Sequence, residues 1–252
     1  MSLSMSAFCG QPDQSAAECF GGLSISLRGL VKILPDGRHV LDSIDLELKA
    51  GDTAALCGPS GSGKTSLAHV IAGIDHDYQG IVSLSGFSFQ ESENFPQPGR
   101  VAMIFQDGGL FDNLTALQNV AMAALFRYST AEAFRKSSDL LSELGIGHIA
   151  SVRARGLSAG EKQRVAVARA LISEPILIIA DEPTACLDSA TAGLVGDLLV
   201  ESAVSMTSTL LVITHDPILA SKCNRRFIMR DGKITESMAG HEVGKPEIDG
   251  FL

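Results

Sequence analysis

Three features of the sequence predict an α/β fold carrying an antiparallel β layer and an inserted α-helical subdomain. A short apolar strand at 53–57 runs through a glycine-rich turn into a helix at 64–72, the opening of an α/β unit. The alternation resumes after Gly156, as helix 160–172, strand 176–180, helix 190–206 and strand 209–214. Between the two blocks, 107–156 has helical spacing and no strand pattern.

Ahead of the first α/β unit, 23–34 and 38–49 read as two strands joined at Pro35-Asp36-Gly37, with Leu41, Ile44, Leu46 and Leu48 alternating after one slip. Strands are expected at 80–85 and 100–105. Thr115 and Gln118 make a capping box for a helix at 116–126, and a second helix at 130–144 stops at Gly145, as a glycine C-cap would stop it. A last hairpin turns at Asp231-Gly232, and there is no internal repeat or coiled coil. Residues 1–22, rich in Ser, Gly and Gln, and 237–252, which mix Gly, charge and Pro246, read as tails. The expected domain is thus 23–236, with 23–106 and 157–236 as the α/β core and 107–156 as the insert.

Composition removes several classes of function. The 252 residues hold 20 basic and 29 acidic side chains, a net charge of -9, with no block of five or more Lys and Arg. A nucleic-acid binder needs clustered cations to neutralise phosphates, so that role is disfavoured. Mean hydropathy is +0.21, yet the longest apolar stretches, 120–126 and 176–180, fall far short of the roughly 20 residues that span a bilayer. Residues 1–8 lack the early positive charge and apolar core of a secretory signal, so a cytoplasmic protein is expected. Cys9, Cys19, Cys57, Cys186 and Cys223 are scattered and never form C-x-x-C, which suggests reduced thiols rather than disulfides or a zinc site.

The chemistry begins at Gly58-Pro59-Ser60-Gly61-Ser62-Gly63-Lys64-Thr65, which fits the phosphate loop G-x-x-x-x-G-K-[ST]. Glycines let backbone N–H groups curl around phosphate oxygens, and the following helix points its positive end at them. Lys64 reaches the terminal phosphates and Thr65 offers a hydroxyl to magnesium, with Ser66 the next candidate on the same helix. A second candidate lies where the apolar run 176–180 ends in Asp181 and Glu182. Paired carboxylates are intolerable inside an apolar strand but emerge at its C-terminal end, where α/β sheets hold ligands. Asp181 would hold magnesium through water and Glu182 would act as general base on an attacking water. Without the phosphate loop the same acids would read as a strand end capping a helix.

Over roughly 23–236 the chain resembles the ATP-binding cassette (ABC) ATPases. Leu157-Ser158-Ala159-Gly160-Glu161 is similar to the family signature L-S-G-G-Q, with Ala159 for the middle glycine and Glu161 for glutamine. The alanine fits only if the backbone there is helical, which leaves close phosphate approach to Ser158 and Gly160. Gln106 resembles the glutamine that in this family touches magnesium or the attacking water and hinges the helical insert. Pro183-Thr184-Ala185-Cys186-Leu187-Asp188 resembles the D-loop, with Asp188 at its acidic position, and His215 resembles the switch histidine that contacts the γ-phosphate. The aromatic on which the family usually stacks adenine is replaced by Leu34. Gly73-Ile74-Asp75 and the short insert are similar to the lipoprotein-release and macrolide-export branch, which usually has Gly-Asn where Ala185-Cys186 stand.

The resemblance implies ATP and Mg2+ as ligands, with Thr65, Gln106 and Asp181 at the metal and Glu182, His215 and Gln106 at the reaction. It implies a head-to-tail homodimer, or a heterodimer with a related cassette, because one subunit's signature completes another's phosphate site. It also implies transmembrane permease subunits and a place on the cytoplasmic face of the inner or plasma membrane. Leu110, Phe111, Leu114, Leu117, Val120, Met122, Leu125 and Phe126 exceed what one packed stripe needs, so some could form a groove for a permease helix. A soluble or regulatory ABC ATPase driving assembly or signalling is the alternative. A chromosome-organising member would need a coiled-coil arm for which the roughly fifty residues between Gln106 and Leu157 are too few.

Overall fold

The computed structural model describes residues 22–85, 87–88 and 100–239. The expected tails therefore lie outside the described residues, apart from Gly22 and 237–239. Gly22 is packed, not trailing: a Cβ there would come within 2.5 Å of the Thr209 hydroxyl. Next to it, Leu23 N–H donates to the Ile176 carbonyl and Thr209 Oγ1 donates to the Leu23 carbonyl.

The first hairpin pairs β1 (Ile25–Ile33) with β2 (His39–Leu48). The slip in its alternation is a bulge, since Leu41 faces Lys32 and Ile44 faces Leu30, which puts an extra residue on β2 and drives Ser43 to φ 54°. Leu41, Ile44, Leu46 and Leu48 all end up buried. β4 (Gln79–Leu84) joins β1 on its other side, and the unexpected two-residue β5 (Phe87–Ser88) completes an antiparallel sheet of order β2-β1-β4-β5.

The second sheet contains β3 (Thr53–Cys57), β6 (Val101–Ile104), β7 (Leu177–Asp181), β8 (Thr209–Ile213), β9 (Arg225–Arg230) and β10 (Lys233–Ala239). Its order is β10-β9-β3-β8-β7-β6, parallel throughout except for the β9–β10 hairpin. β10 passes the expected end of the core at Glu236 because Ser237, Met238 and Ala239 still pair with Phe227, Arg226 and Arg225.

The central strands bury both faces, which is why they read as unbroken apolar runs. Ile178 and Ala180 of β7 point into one core cluster, and Leu177 and Ile179 point into the other. The first cluster lies under α4 (Ala159–Leu171) and α5 (Ser189–Ser205), and also takes in the insert. The second lies between the two sheets and holds α1 (Lys64–Ile71).

The insert contains α2 (Ala116–Ala124) and α3 (Thr130–Glu143), and the expected Thr115–Gln118 capping box is formed. Gly145 ends α3 at φ 70°. A short helix that the periodicity did not foresee, α6 (Pro217–Ser221), follows β8; its signal was Asp216-Pro217, an N-cap followed by a proline at the first helical position.

Asn119, fully buried on α2, ties down the loop in front of that helix. Its Oδ1 accepts from Phe111 N–H, and its Nδ2 donates to the carbonyls of Phe111, Leu114 and Thr115. Asn119→Ala should therefore lower unfolding stability by about 2–3 kcal/mol in denaturant titration, since it leaves the Phe111 N–H without its acceptor and removes three side-chain bonds that hold the loop. A loss under about 1 kcal/mol would mean that the loop is held by something else.

Candidate functional site

Four parallel strands end on one edge of the second sheet, and the expected site residues are the next residues out. Leu56 of β3 is level with Ile213 of β8, Asp181 of β7 is also level with Ile213, and Ile104 of β6 is level with Ala180. The loop from Gly58, the acids Asp181 and Glu182, His215 and Gln106 thus leave the sheet together.

The phosphate-loop segment adopts a backbone that its glycines require. Gly58, Gly61 and Gly63 have φ of 149°, 80° and 103°. A Cβ on Gly58 would lie 2.1 Å from the Met229 carbonyl oxygen, and one on Gly63 2.4 Å from that of Val40, whereas Gly61 faces open space. The loop is therefore pressed against β9 and the first hairpin, on which Leu34 sits half-buried at the turn. Lys64 is buried, with Nζ donating to the carbonyls of Gly58 at 2.9 Å and Pro59 at 2.8 Å.

α1 begins at Lys64 with Gly63 as its N-cap, no side-chain capping bond and no acidic residue in the first turn. The first N–H groups of a helix have no partner inside it, so this start is free to receive an anion. Pro59, Ser60 and Thr65 are exposed around it and Ser66 is partly so, while Ser62 is buried. These are the features that a polyphosphate needs.

Asp181 is buried at the end of β7, with the Thr65 side chain close enough to act on its titration. Burial pushes its carboxyl pKa up, opposed by the Thr65 side chain and helped by the neighbouring Glu182 charge. A buried carboxylate beside a threonine hydroxyl is a donor set suited to a hard divalent cation. Glu182 holds a left-handed backbone at φ 48°, fixed by its N–H donating to the Ile213 carbonyl. Its Oε2 lies 2.9 Å from His215 Nδ1, which joins two of the expected residues directly. Gln106 is exposed at the corner of the turn after β6.

The signature segment starts α4, and Ala159 is its first helical residue, as the methyl demanded. Ser158 caps the helix, and Glu161 completes a capping box by accepting from the Ser158 N–H at 2.8 Å and hydroxyl at 2.7 Å. The departure from glutamine is thus occupied within the chain itself. A Cβ on Gly160 would touch Leu187 and the Cys186 carbonyl at 3.3 and 3.4 Å, so the signature packs on the 183–188 loop. Asp188 caps α5 through the N–H groups of Ala190 and Thr191 and the Thr191 hydroxyl, which hold its carboxyl below the usual range.

Within one chain, then, Gly160 is packed on Cys186 and Leu187, the residues just before Asp188; among the described residues no hydrogen bond joins Ser158 or Gly160 to 58–65. Sequence reasoning missed Arg169, whose guanidinium binds the turn next to Gln106. Its one signal was a cation set in the apolar run Val-Ala-Val-Ala-Arg-Ala-Leu.

Because burial raises the Asp181 pKa, the nucleotide-free fold is favoured with that group protonated. The contribution is complete below the pKa of the unfolded chain and is lost as pH rises through the folded value. Asp181→Asn should raise the thermal midpoint of the nucleotide-free protein at neutral pH and flatten the loss of stability above the carboxylate range. A lower midpoint in a pH series of melting curves would contradict the buried-charge account.

Residues 41–185 match the ABC transporter family. The chain is 42% identical over 200 residues to the lipoprotein-releasing system ATP-binding protein LolD of Psychrobacter arcticus, covering 77% of this chain and 88% of that protein. It is 36% identical over 217 residues to the LolD of Alcanivorax borkumensis, covering 82% and 95%. Its fold is similar to the ATP-binding cassette MJ0796, solved as a dimer in a post-hydrolysis state with ADP and phosphate, at TM-score 0.81 and 28% identity over 86% of this chain and 99% of that one. With these likenesses added to the site geometry, the chain belongs to the ATP-binding cassette family, the ATP-hydrolysing subunits of ABC transporters.

Proposed function

We propose that two copies of this chain, or one copy and a related cassette, close head to tail over two Mg2+-bound ATP molecules and so drive a membrane-embedded permease. The observation that carries the reading is the bare start of α1 beside Asp181, Glu182 and His215. In the proposed site the N–H groups of 58–66 and Lys64 hold the phosphates, and Ser158 and Gly160 of the partner subunit close over the γ-phosphate. Thr65, Asp181 and Gln106 would hold magnesium, which when bound neutralises charge developing on the phosphate oxygens.

Glu182 accepts a proton from the attacking water as its oxygen bonds to the γ-phosphorus and the bond to the bridging oxygen breaks. Gln106 orients that water. His215, held beside Glu182, contacts the γ-phosphate. Closure excludes water, and the separated phosphate and ADP repel each other and reopen the interface.

Phe111, Met122, Leu125 and Phe126 are the exposed members of the apolar set on the insert, while Val120 is buried and Leu110 and Leu117 are partly so. Four large apolar side chains facing solvent support docking against a permease helix at the cytoplasmic face of the membrane. Among the described residues no helix is long and apolar enough to cross the membrane itself. The likeness to lipoprotein-releasing ATP-binding proteins supports lipoprotein release as the work performed.

Glu182→Gln should lower the ATP turnover of the purified chain at least about 100-fold while leaving ATP binding within about twofold. Turnover near the normal rate would sink the assignment of the base. Leu34→Tyr should tighten ATP binding about fivefold or more, as base–aromatic stacking of about 1–3 kcal/mol allows. Unchanged ATP affinity and unchanged preference for ATP over GTP would remove Leu34 from the base site.

A further inference from the structure

The turn that carries Gln106 is closed by two local bonds. Gly108 N–H donates to the Phe105 carbonyl, which puts Gln106 at the corner, and Gly109 N–H donates to Asp107 Oδ1. Gly108 and Gly109 lie at φ 79° and 54°, a backbone in which successive carbonyls can face one way. Both carbonyls are taken by one side chain: Arg169 Nη1 donates to the Gly109 oxygen at 2.6 Å and Nη2 donates to the Gly108 oxygen at 3.0 Å.

The turn packs on α4 through Gly108 and on its own Phe105 through Gly109. A Cβ on Gly108 would lie 3.4 Å from the Lys162 carbonyl oxygen of α4, and one on Gly109 would lie 2.7 Å from the Phe105 ring. Burial of the guanidinium pushes its pKa down, with the Asp107 charge acting the other way. A planar fork on two carbonyls fixes the orientation of both peptides, which a lysine's single ammonium cannot do.

Arg169 stands on the same helix as the signature, about 16 Å from Ser158 at about 1.5 Å per residue. The far side of the turn is bound to that body as well. Arg155 N–H donates to the Asp112 carbonyl, Ala154 N–H to that of Leu114, and Ala116 N–H to that of Val152, immediately before the signature.

We propose that Arg169 is a positioning residue that locks the Gln106 turn to the signature helix, so that Gln106 and Ser158 move as one body. The inference rests on the proposed role of Gln106 at the water and metal, and it adds that the glutamine's placement is set from α4 rather than from β6.

The test uses purified chains carrying Arg169→Met, Arg169→Lys, Gln106→Ala, and Arg169→Met combined with Gln106→Ala. Amide hydrogen exchange without nucleotide, ATP affinity and kcat are measured for each. In Arg169→Met the Gly108 and Gly109 amides should exchange about tenfold faster with those of α1 unchanged. Its kcat should fall about tenfold while ATP affinity stays within about twofold, and Arg169→Lys should be intermediate. On the Gln106→Ala background, Arg169→Met should change kcat less than about twofold, because both act through one group. Unchanged exchange at Gly108 and Gly109, or losses that multiply in the double variant, overturn the proposal. Should Arg169→Met fail to fold, Arg169→Lys carries the same comparison. A Gln106→Ala chain with normal kcat defeats the reading of Gln106 instead, and the exchange result then decides alone whether Arg169 holds the turn.

Discussion

A helix that begins without a side-chain cap leaves its first N–H groups to be satisfied from outside, and α1 begins in this way at the edge where four parallel strands end. Much else follows from keeping that start bare and rigid. Gly58 and Gly63 let the loop lie against the Met229 and Val40 carbonyls, so its shape is fixed by backbone contact with two other elements. Lys64 folds onto the same loop, which puts a cation at the helix start in a protein whose net charge is -9. A polyanion bound there meets that cation and the positive end of the helix together.

The start of the signature helix is built in the opposite sense. α4 is closed by its own Ser158 and Glu161, and its flank packs on the loop that ends at Asp188. One chain therefore offers an open anion site and a self-capped signature in different places, and the proposed pairing of two chains brings one to the other. On closure, the Ser158 hydroxyl would be shared between Glu161 and a phosphate. Glu161 thus sets a competition that glutamine would conduct without charge.

Much of this could be read from the chain because it is local. Strand 53–57, the Thr115–Gln118 box and the stop at Gly145 each depend on residues within a few positions of one another. The helical start at Ala159 was legible from the conflict between a methyl and a left-handed backbone. The bulge at Ser43 showed only as a break in alternation, and β5 is too short to carry a period. The roles of Arg169 and Asn119 were not legible, because their partners are main-chain groups, which any residue supplies. Only the fold brings Gly108 and Gly109 to the fourth turn of α4. The motif residues themselves were found because chemistry restricts their type; that Glu182 would meet His215 depended on the register of β7 and β8.

In the proposed dimer the phosphate loop of one chain and the signature of another make one ATP site. Light scattering of the Glu182→Gln chain during size exclusion tests it most directly, because ATP then stays bound without turnover. The chain should be a dimer in saturating ATP and Mg2+, a monomer in ADP, and a monomer in ATP once Ser158→Arg is added. A chain that keeps the same mass in ATP and in ADP would contradict it.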